Sequence, residues 1–180
     1  MSVGDEHGDA SGALEKFDAV AGFAALADYA GPHARVSRLQ ASQVRVDGTM
    51  DLTAASEPRL EAEFVAAALE GDPATRPAGE FAVGHSIRVG LTVEAPRDGH
   101  RGMARAPRGR ATGDERLVEP PACTFAALWR AAIDQGAPDS GTATIVYDAD
   151  GYLFTIDGGD FIKKFKSDCS PVGAKRGKKK

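Results

Sequence analysis

The alternation of apolar and polar residues is clearest between Thr142 and Asp157, where it predicts two strands joined by a tight turn. β-branched and aromatic residues recur at every second position on both sides of the sequence DADG, which ends at Gly151. Such residues suit a pleated, half-buried surface, and a glycine supplies the positive φ that short hairpin loops commonly need. The same kind of pattern predicts further strands at residues 34–46, 59–69 and 85–94.

The turn of this hairpin also resembles part of an EF-hand calcium loop, because Asp148, Asp150 and Gly151 are of the right residue types. If Gly151 held the sixth position of such a loop, the first would fall on Val146 and the twelfth on Asp157. Valine offers no side-chain oxygen, and the twelfth position normally holds a bidentate glutamate. The aspartates are therefore interpreted as turn residues, and no metal site is predicted.

Apolar residues at helical spacing predict two amphipathic helices, one starting at Phe17 and one spanning residues 123–135. Asp18 is the expected N-cap of the first helix, and either Cys123 or Thr124 begins the second. The predicted core face of the second helix contains Phe125, Leu128, Trp129, Ala132 and Ile133. The sequence therefore predicts an α+β protein, a mostly antiparallel sheet with two helices packed on one face.

Two stretches of the chain share the same order of predicted elements. The sequence FAAL at residues 23–26 and again at 125–128 lies in a helix that is followed by a glycine and a proline, a strand and an Asp-Gly turn. In the first stretch this turn is Asp47-Gly48, and residues 50–53 would begin its return strand. Two units with one apolar sheet face each could bury it in a joint sheet, which favours a tandem helix–hairpin repeat. The alternative is that two amphipathic helices on one sheet converged on similar faces.

A helix followed by a hairpin resembles the small bacterial modules of the PepSY and cystatin-like kind, in which one helix lies across an antiparallel sheet. The resemblance covers residues 17–65 and 123–157 and includes the phrases FAALWRAAIDQGA and VYDADGYLFTID. The second phrase also looks like the end of secreted bacterial domains with a YD…GYP…I hairpin, although Leu153 stands where those domains have proline. The resemblance implies peptidase inhibition or extracytoplasmic binding, and it transfers no functional residue.

Charge divides the chain into an acidic body and a basic end. Residues 163–180 contain eight Lys or Arg and one Asp, whereas residues 1–162 carry a formal charge of −11. The expected organisation is a disordered N-terminus at 1–16, a single domain at 17–165 and a basic tail at 166–180. Within the domain, the halves 17–95 and 123–165 would be joined by an Arg-rich loop at 96–122.

The basic residues form two clusters that are the candidate binding residues. They are Arg97, Arg101, Arg105, Arg108 and Arg110 in the predicted loop, and Lys175, Arg176, Lys178, Lys179 and Lys180 in the predicted tail. Such clusters can attract nucleic acid or another polyanion, or they can simply be solvated. No aromatic residue lies among the final ten positions, which disfavours base stacking by the tail.

Cys123 and Cys169 are the two cysteines of the chain, and neither lies in a CxxC motif. They would pair in an oxidising compartment and stay reduced in the cytosol, so both thiol states remain open. The N-terminal residues are acidic and lack the basic and apolar regions of a signal peptide. The sequence as it stands therefore predicts a cytoplasmic protein, and an extracytoplasmic one if a leader has been removed.

No stretch of the sequence carries a catalytic or cofactor signature. The four histidines are scattered, and the motifs of serine hydrolases and phosphate-binding loops are absent from the sequence. We therefore expect a non-enzymatic binding or structural module without a cofactor, whose partner is another protein, a larger assembly or a second copy of the chain. The alternatives are a nucleic-acid- or polyanion-associated protein that acts through the two basic clusters, and an enzyme of unrecognised type. No apolar run is long enough to span a bilayer.

Overall fold

The α+β class is confirmed by the computed structural model, which describes residues 14–31, 33–56, 58–66, 85–92, 102–110 and 115–173. The elements in chain order are a short 3-10 helix (Leu14–Lys16), β1 (Phe17–Asp18), α1 (Ala19–Ala30), β2 (Arg35–Arg45), β3 (Thr49–Met50), β4 (Leu60–Ala66), β5 (His85–Thr92), β6 (Gly102–Arg110), α2 (Phe125–Asp134), β7 (Thr142–Asp148), β8 (Gly151–Ile156) and β9 (Ile162–Phe165).

Seven of these strands form one antiparallel sheet in the order β6-β5-β4-β2-β7-β8-β9, while β1 pairs with β3 in a separate two-stranded sheet. At the centre, β2 pairs with β7, with Leu39 opposite Tyr147 and Ala41 opposite Ile145. From β2 the sheet continues outward through β4, β5 and β6, and from β7 it continues through β8 and β9. The sheet thus consists of two antiparallel meanders that join at β2 and β7.

One face of the sheet is buried across its central strands. In β7 and β8, every second residue is buried, as the alternating sequence predicts. Residues directly opposite each other in an antiparallel pair lie on the same face, so the register extends this buried face from strand to strand. It contains Leu60, Ala62 and Phe64 of β4, Val36, Leu39, Ala41 and Val44 of β2, Ala143, Ile145 and Tyr147 of β7, Tyr152, Phe154 and Ile156 of β8, and Phe165 of β9.

Both helices pack on this buried face, which confirms the predicted arrangement. The ring of Phe23 in α1 stacks on Phe64 of β4, with ring centroids 5.9 Å apart. Trp129 in α2 meets Phe154 of β8 edge to face, with centroids 4.9 Å apart. Each helix therefore covers the meander that follows it in the chain.

The starts of the two helices are fixed by the side chains of their N-cap residues. Asp18 Oδ1 accepts hydrogen bonds from the backbone N–H groups of Val20 (2.9 Å) and Ala21 (3.1 Å), as expected for the cap of α1. Thr124 Oγ1 accepts one from Ala127 N (3.2 Å), so the threonine rather than the preceding cysteine caps α2. Each cap satisfies backbone donors that would otherwise lack a partner in the first helical turn.

The first predicted hairpin is wrong in its return strand. The turn itself forms, with Gly48 N donating to Arg45 O at 2.8 Å. It leads into β3, however, which pairs with β1 through Phe17 and Met50, and β2 pairs instead with β4. Both Phe17 and Met50 are buried, so this small sheet completes the core beside α1 instead of extending the large sheet.

Strand β6 lies within the segment predicted as an Arg-rich loop at 96–122. Its register runs from Arg110 opposite His85 to Gly102 opposite Thr92. The glycines, the proline and the arginines of this strand hide the alternation that usually marks a strand. Pro107 is tolerated because β6 is an outermost strand of the sheet, where a missing ladder donor costs little.

Part of the predicted basic tail is folded. Lys166 N donates to Ser170 O (2.8 Å) and Val172 N donates to Lys164 O (3.0 Å), so residues 166–173 reverse direction and lie along the outer edge of β9. Leu14–Lys16 of the predicted disordered N-terminus likewise form a 3-10 helix. Residues 1–13 and 174–180 lie outside the described residues. In the described part of the chain, neither α1 nor α2 has the length and apolar character needed to span a membrane.

Gly48 is expected to resist substitution because the start of α2 approaches its Cα closely. Its φ is +83°, and a Cβ at this position would collide with the backbone nitrogen of Ala126. We expect Gly48→Ala to lower the free energy of unfolding by more than the roughly 1–3 kcal/mol that a left-handed non-glycine residue costs. Gly136→Ala is the matched control, since Gly136 has φ +96° and no atom near its Cβ position. Equal losses in urea denaturation of the two variants would contradict the close approach.

Candidate functional site

The central strand β2 contains a bulge at Ser42 and Gln43, in addition to a register shift near Ser37 on its β4 side. Ala41 lies opposite Ile145 and Val44 opposite Ala143, so two residues of β2 face one residue of β7. Gln43 has a φ of +58°, which is uncommon for a residue other than glycine. The break in the apolar pattern at Ala41-Ser42 predicts either a bulge or a change of strand, and of these the structure contains the bulge.

Val44, the residue directly after the bulge, lies on the buried face and accepts the hydrogen bond that anchors α2. The indole Nε1 of Trp129 donates to the backbone oxygen of Val44 at 3.2 Å, and both groups are buried. A buried carbonyl and a buried indole N–H each require a partner, so this bond fixes the helix at a single position over the sheet.

Beyond the bulge, the side chains of Ser42 and Gln43 hold the segment that leads into β4. Gln43 Nε2 donates to Ser56 O (3.1 Å), and the Ser56 hydroxyl donates in return to Gln43 Oε1. Ser42 N donates to Arg59 O (2.9 Å), while Arg59 N donates to Ser42 Oγ (2.9 Å). Four hydrogen bonds therefore fix Ser56 and Arg59 against the bulge, and they account for the unusual backbone of Gln43.

A polar cavity of about 340 Å³ lies between these parts, lined by Gln40, Ser42, Ser56, Arg59 and Glu61. Gln40 lies opposite Glu61 in the register of β2 and β4, and both alternate with residues of the buried face. The cavity is therefore on the outer face of the sheet, on the side away from the two helices. Its volume is within the range of about 300–1,000 Å³ that is usual for ligand pockets.

The chemistry of the cavity combines neutral donors with two opposite charges. Gln40 Oε1 accepts from Arg38 at 3.2 Å, which directs the amide so that its nitrogen keeps its donors. Among the described residues, no acceptor is paired with Gln40 Nε2 or with the Ser42 hydroxyl hydrogen. Arg59 and Glu61 add a positive and a negative group two residues apart on the same face of β4. The cavity can thus bind hydrogen-bond acceptors and groups of either charge.

The two tyrosines of the hairpin tie the segment before α2 to the sheet. Tyr147 donates its hydroxyl hydrogen to Glu119 O (3.0 Å), and Tyr152 Oη accepts from Cys123 N (3.4 Å). Burial raises the pKa of Tyr152 to about 12, and it raises that of Tyr147 together with the nearby charge of Glu119. Both phenols are therefore protonated at neutral pH and serve as structural hydrogen-bonding groups.

Aspartates that could suggest a metal or acid–base site are used in turns instead. Asp148 Oδ1 accepts from Asp150 N at 2.8 Å, which confirms the interpretation of the hairpin aspartates as turn residues. Hydrogen bonds from Thr49, Thr53 and Ser170 hold the pKa values of Asp47, Asp51 and Asp168, respectively, below the usual range. Across the described ranges, no three His, Cys, Asp or Glu residues form a group that could hold a metal ion.

The two cysteines form a disulfide, with their Cα atoms 5.9 Å apart. Cys123 immediately precedes the N-cap of α2 and is buried, while Cys169 lies in the reverse turn after β9 with a φ of +64°. The bond joins the start of the second helix to the folded part of the C-terminal segment. Of the two thiol states that the sequence leaves open, the structure contains the paired one.

The candidate basic residues are only partly placed by the structure. The backbones of Arg105, Arg108 and Arg110 belong to β6, the outermost strand on the α1 side of the sheet. The remaining candidates, Arg97, Arg101, Lys175, Arg176, Lys178, Lys179 and Lys180, lie outside the described residues. Binding of a polyanion by the two clusters therefore stays a prediction.

Sequence reasoning missed the residues of the cavity because they come from two separate segments, around the bulge and before β4. The one available signal was the interrupted alternation at Ala41-Ser42, which indicates a bulge but does not reveal what packs against it. Comparison of the chain with protein-family models, with curated proteins and with solved structures found no match, so the resemblance to PepSY and cystatin-like modules stays a prediction.

Proposed function

We propose that the protein is a non-enzymatic binding module that holds a short polar peptide segment of a partner protein in the outer-face cavity. The observation that carries this proposal is the cavity itself, which is built at a bulge with an unusual backbone at Gln43. Conformations of this kind persist where the surrounding structure enforces them, and they are concentrated at functional sites. In the described part of the chain, both helices lie on the opposite face of the sheet and leave the cavity side uncovered.

A peptide matches the chemistry of the cavity better than a purely ionic or purely neutral ligand. The Gln40 amide nitrogen and the Ser42 hydroxyl can donate to peptide carbonyl oxygens. Arg59 and Glu61, which also interact within the protein, place a positive and a negative charge beside these donors and so suit the charged termini or polar side chains of a peptide. A ligand that has carbonyl oxygens, a positive group and a negative group can therefore interact with the amide, the hydroxyl, the guanidinium and the carboxylate of the cavity.

The ionisable side chains of the described residues favour binding over catalysis. Asp47, Asp51 and Asp168 accept hydrogen bonds from backbone N–H groups in turns. Their lowered pKa values make them poor proton donors and acceptors at neutral pH. Among the described residues that line the cavity, Glu61 is the one carboxylate, and none is a histidine or a cysteine. The cavity thus offers recognition groups without a nucleophile and base in contact.

The disulfide supports a role outside the cytosol. Disulfides form and persist in oxidising compartments and are rare where glutathione and thioredoxin keep thiols reduced. A binding module that carries the Cys123–Cys169 bond would therefore mature in the periplasm or outside the cell. The partner peptide would then belong to another extracytoplasmic protein.

Triglycine, a minimal peptide with both termini charged, is the probe that tests the proposal. Titration of the ¹⁵N-labelled protein should produce saturable amide shifts in β2, in β4 and in residues 56–59, with a dissociation constant on the order of 1 mM. We expect Gln40→Ala to weaken binding between about 2-fold and 12-fold, which is the usual worth of one neutral hydrogen bond.

Gln135→Ala is the matched control, since Gln135 is an exposed glutamine at the far end of α2. It should bind triglycine as the unaltered protein does. The absence of saturable shifts, or shifts confined to other surfaces, would overturn the proposed function. Equal effects of the two glutamine substitutions would do the same.

A further inference from the structure

We propose that the outer edge of β9 and the reverse turn after it form a docking surface for an anionic lipid bilayer. This surface, here called the C-terminal edge, consists of Ile162, Lys164, Lys166 and Val172. It is separate from the cavity and does not depend on the proposed peptide binding.

Two exposed aliphatic side chains mark this surface. Ile162 is 59% exposed and Val172 is 53% exposed, and they are the large hydrophobic residues that the described chain leaves most open to solvent. Ile162 lies opposite Thr155, and Val172 lies beside Lys164, whose register partner is Leu153. Because Thr155 and Leu153 alternate with the buried residues of β8, both aliphatic side chains are on the outer face.

Two lysines share the face of these aliphatic residues. Lys164 and Lys166 follow Ile162 at every second position of the extended chain and therefore lie on its face, whereas Lys163, opposite Phe154 in the register, projects from the other face of β9. The acids nearest to this surface in sequence are Asp160, two residues before Ile162, and Asp168, which accepts hydrogen bonds from Ser170 N (2.9 Å) and Ser170 Oγ (2.6 Å) within the turn. Residues 163–180 as a whole contain eight basic residues and one acid, so this end of the chain is basic on a protein whose residues 1–162 are strongly acidic.

The sequence adds charge directly beyond this surface. Residues 174–180 contain five basic residues and no acid, and they begin immediately after Gly173 at the end of the reverse turn. A single weak apolar anchor holds a protein to a membrane only marginally, whereas an apolar anchor together with a polybasic segment holds it stably. The chain provides both elements next to each other.

A bilayer fits this combination better than nucleic acid does. Nucleic-acid surfaces commonly add aromatic side chains on which bases stack, and Phe165, the one aromatic residue of β9, is buried in the core. Aliphatic side chains between lysines instead match a bilayer interface, where the apolar groups enter the boundary with the acyl chains and the lysines meet lipid phosphates. The acidic body would face away from the bilayer.

Flotation with vesicles tests this proposal on the full-length protein. We expect binding to phosphatidylcholine vesicles that contain phosphatidylglycerol, little binding to pure phosphatidylcholine, and a steep fall in binding with added salt. Joint substitution of Lys164 and Lys166 by alanine should weaken binding about fivefold for each lysine and on the order of 25-fold in total. Ile162→Ser with Val172→Ser should also weaken it, with the charge unchanged.

The matched control removes the same number of exposed basic residues elsewhere, by substituting Arg35 and Arg130 with alanine. This control should retain binding to the anionic vesicles, and both double variants should keep the melting temperature of a folded protein. Failure to bind anionic vesicles, or equal losses in the lysine and arginine variants, would overturn the proposal. So would unchanged binding after the serine substitutions, or binding of duplex DNA in place of the vesicles.

Discussion

Replacing Trp129 by alanine is expected to lower the free energy of unfolding by about 3–5 kcal/mol, the usual cost of deleting a large core aromatic side chain. The indole is fully buried and packs edge to face on Phe154 at a centroid distance of 4.9 Å. It also supplies the N–H that the buried oxygen of Val44 accepts. The substitution therefore removes apolar contact, an aromatic pair and a hydrogen bond at once, in the place where α2 meets the sheet.

Trp129→Phe separates these contributions in part, because it keeps an aromatic ring in the core while it removes the N–H and some of the indole's volume. We expect a loss smaller than that of Trp129→Ala but of at least about 1–3 kcal/mol, since the carbonyl of Val44 would be left buried without its partner. Urea denaturation followed by circular dichroism measures both losses. Ile162→Ala is the control, as it shortens an exposed hydrophobic side chain and should change stability little. A loss for Trp129→Ala no larger than for this control would contradict the assignment of Trp129 to the core.

Removing the disulfide is expected to lower the free energy of unfolding by up to about 4 kcal/mol. Cys123 and Cys169 are separated by 46 residues in sequence, and closing a loop of this length removes that much conformational freedom from the unfolded chain. The bond also encloses α2, β7, β8 and β9, so the unfolded state is restricted through the whole second meander. The loss should be present at every pH at which the bond is intact, because a disulfide does not titrate.

Unfolding with and without dithiothreitol measures this effect, and the Cys123→Ala/Cys169→Ala variant controls for reductant acting elsewhere. The double variant should be less stable than the oxidised protein and should not respond to the reductant. The intact mass of the native protein should rise by two hydrogens on reduction. A native protein whose mass does not change would show that the thiols are free, and it would remove the support for an oxidising compartment.

Elements that depend on local sequence could be predicted well. Alternation over residues 142–157 predicts both strands of the hairpin because each buried residue is followed by a solvent-facing one. The N-cap at Asp18 could be predicted because a cap depends only on its own side chain and the next three backbone N–H groups. The packing of both helices on one face follows from the same logic, since a sheet with one apolar face must cover it.

Elements that depend on long-range pairing could not be predicted. Nothing in residues 49–50 indicates pairing with β1 instead of β2, because a two-residue strand carries no periodic signal. Strand β6 has no apolar alternation, and it is defined by its backbone pairing with β5. The cavity requires that Ser42 and Arg59 meet, and that meeting depends on a bulge whose depth the sequence does not reveal. The candidate binding residues of the two basic clusters share only their charge, and charge does not determine where a residue lies in the fold.

The pairing of β2 with β7 bears on the tandem repeat, which stays a prediction. If the two helix-and-meander units have one origin, the antiparallel pair between their first strands has the local twofold symmetry by which a single unit would form an isologous dimer with itself. In such a dimer, an extra residue would occur in both central strands or in neither. In the β2–β7 pair only β2 carries it, so on that prediction the cavity beside Ser42 arose after the two units were joined.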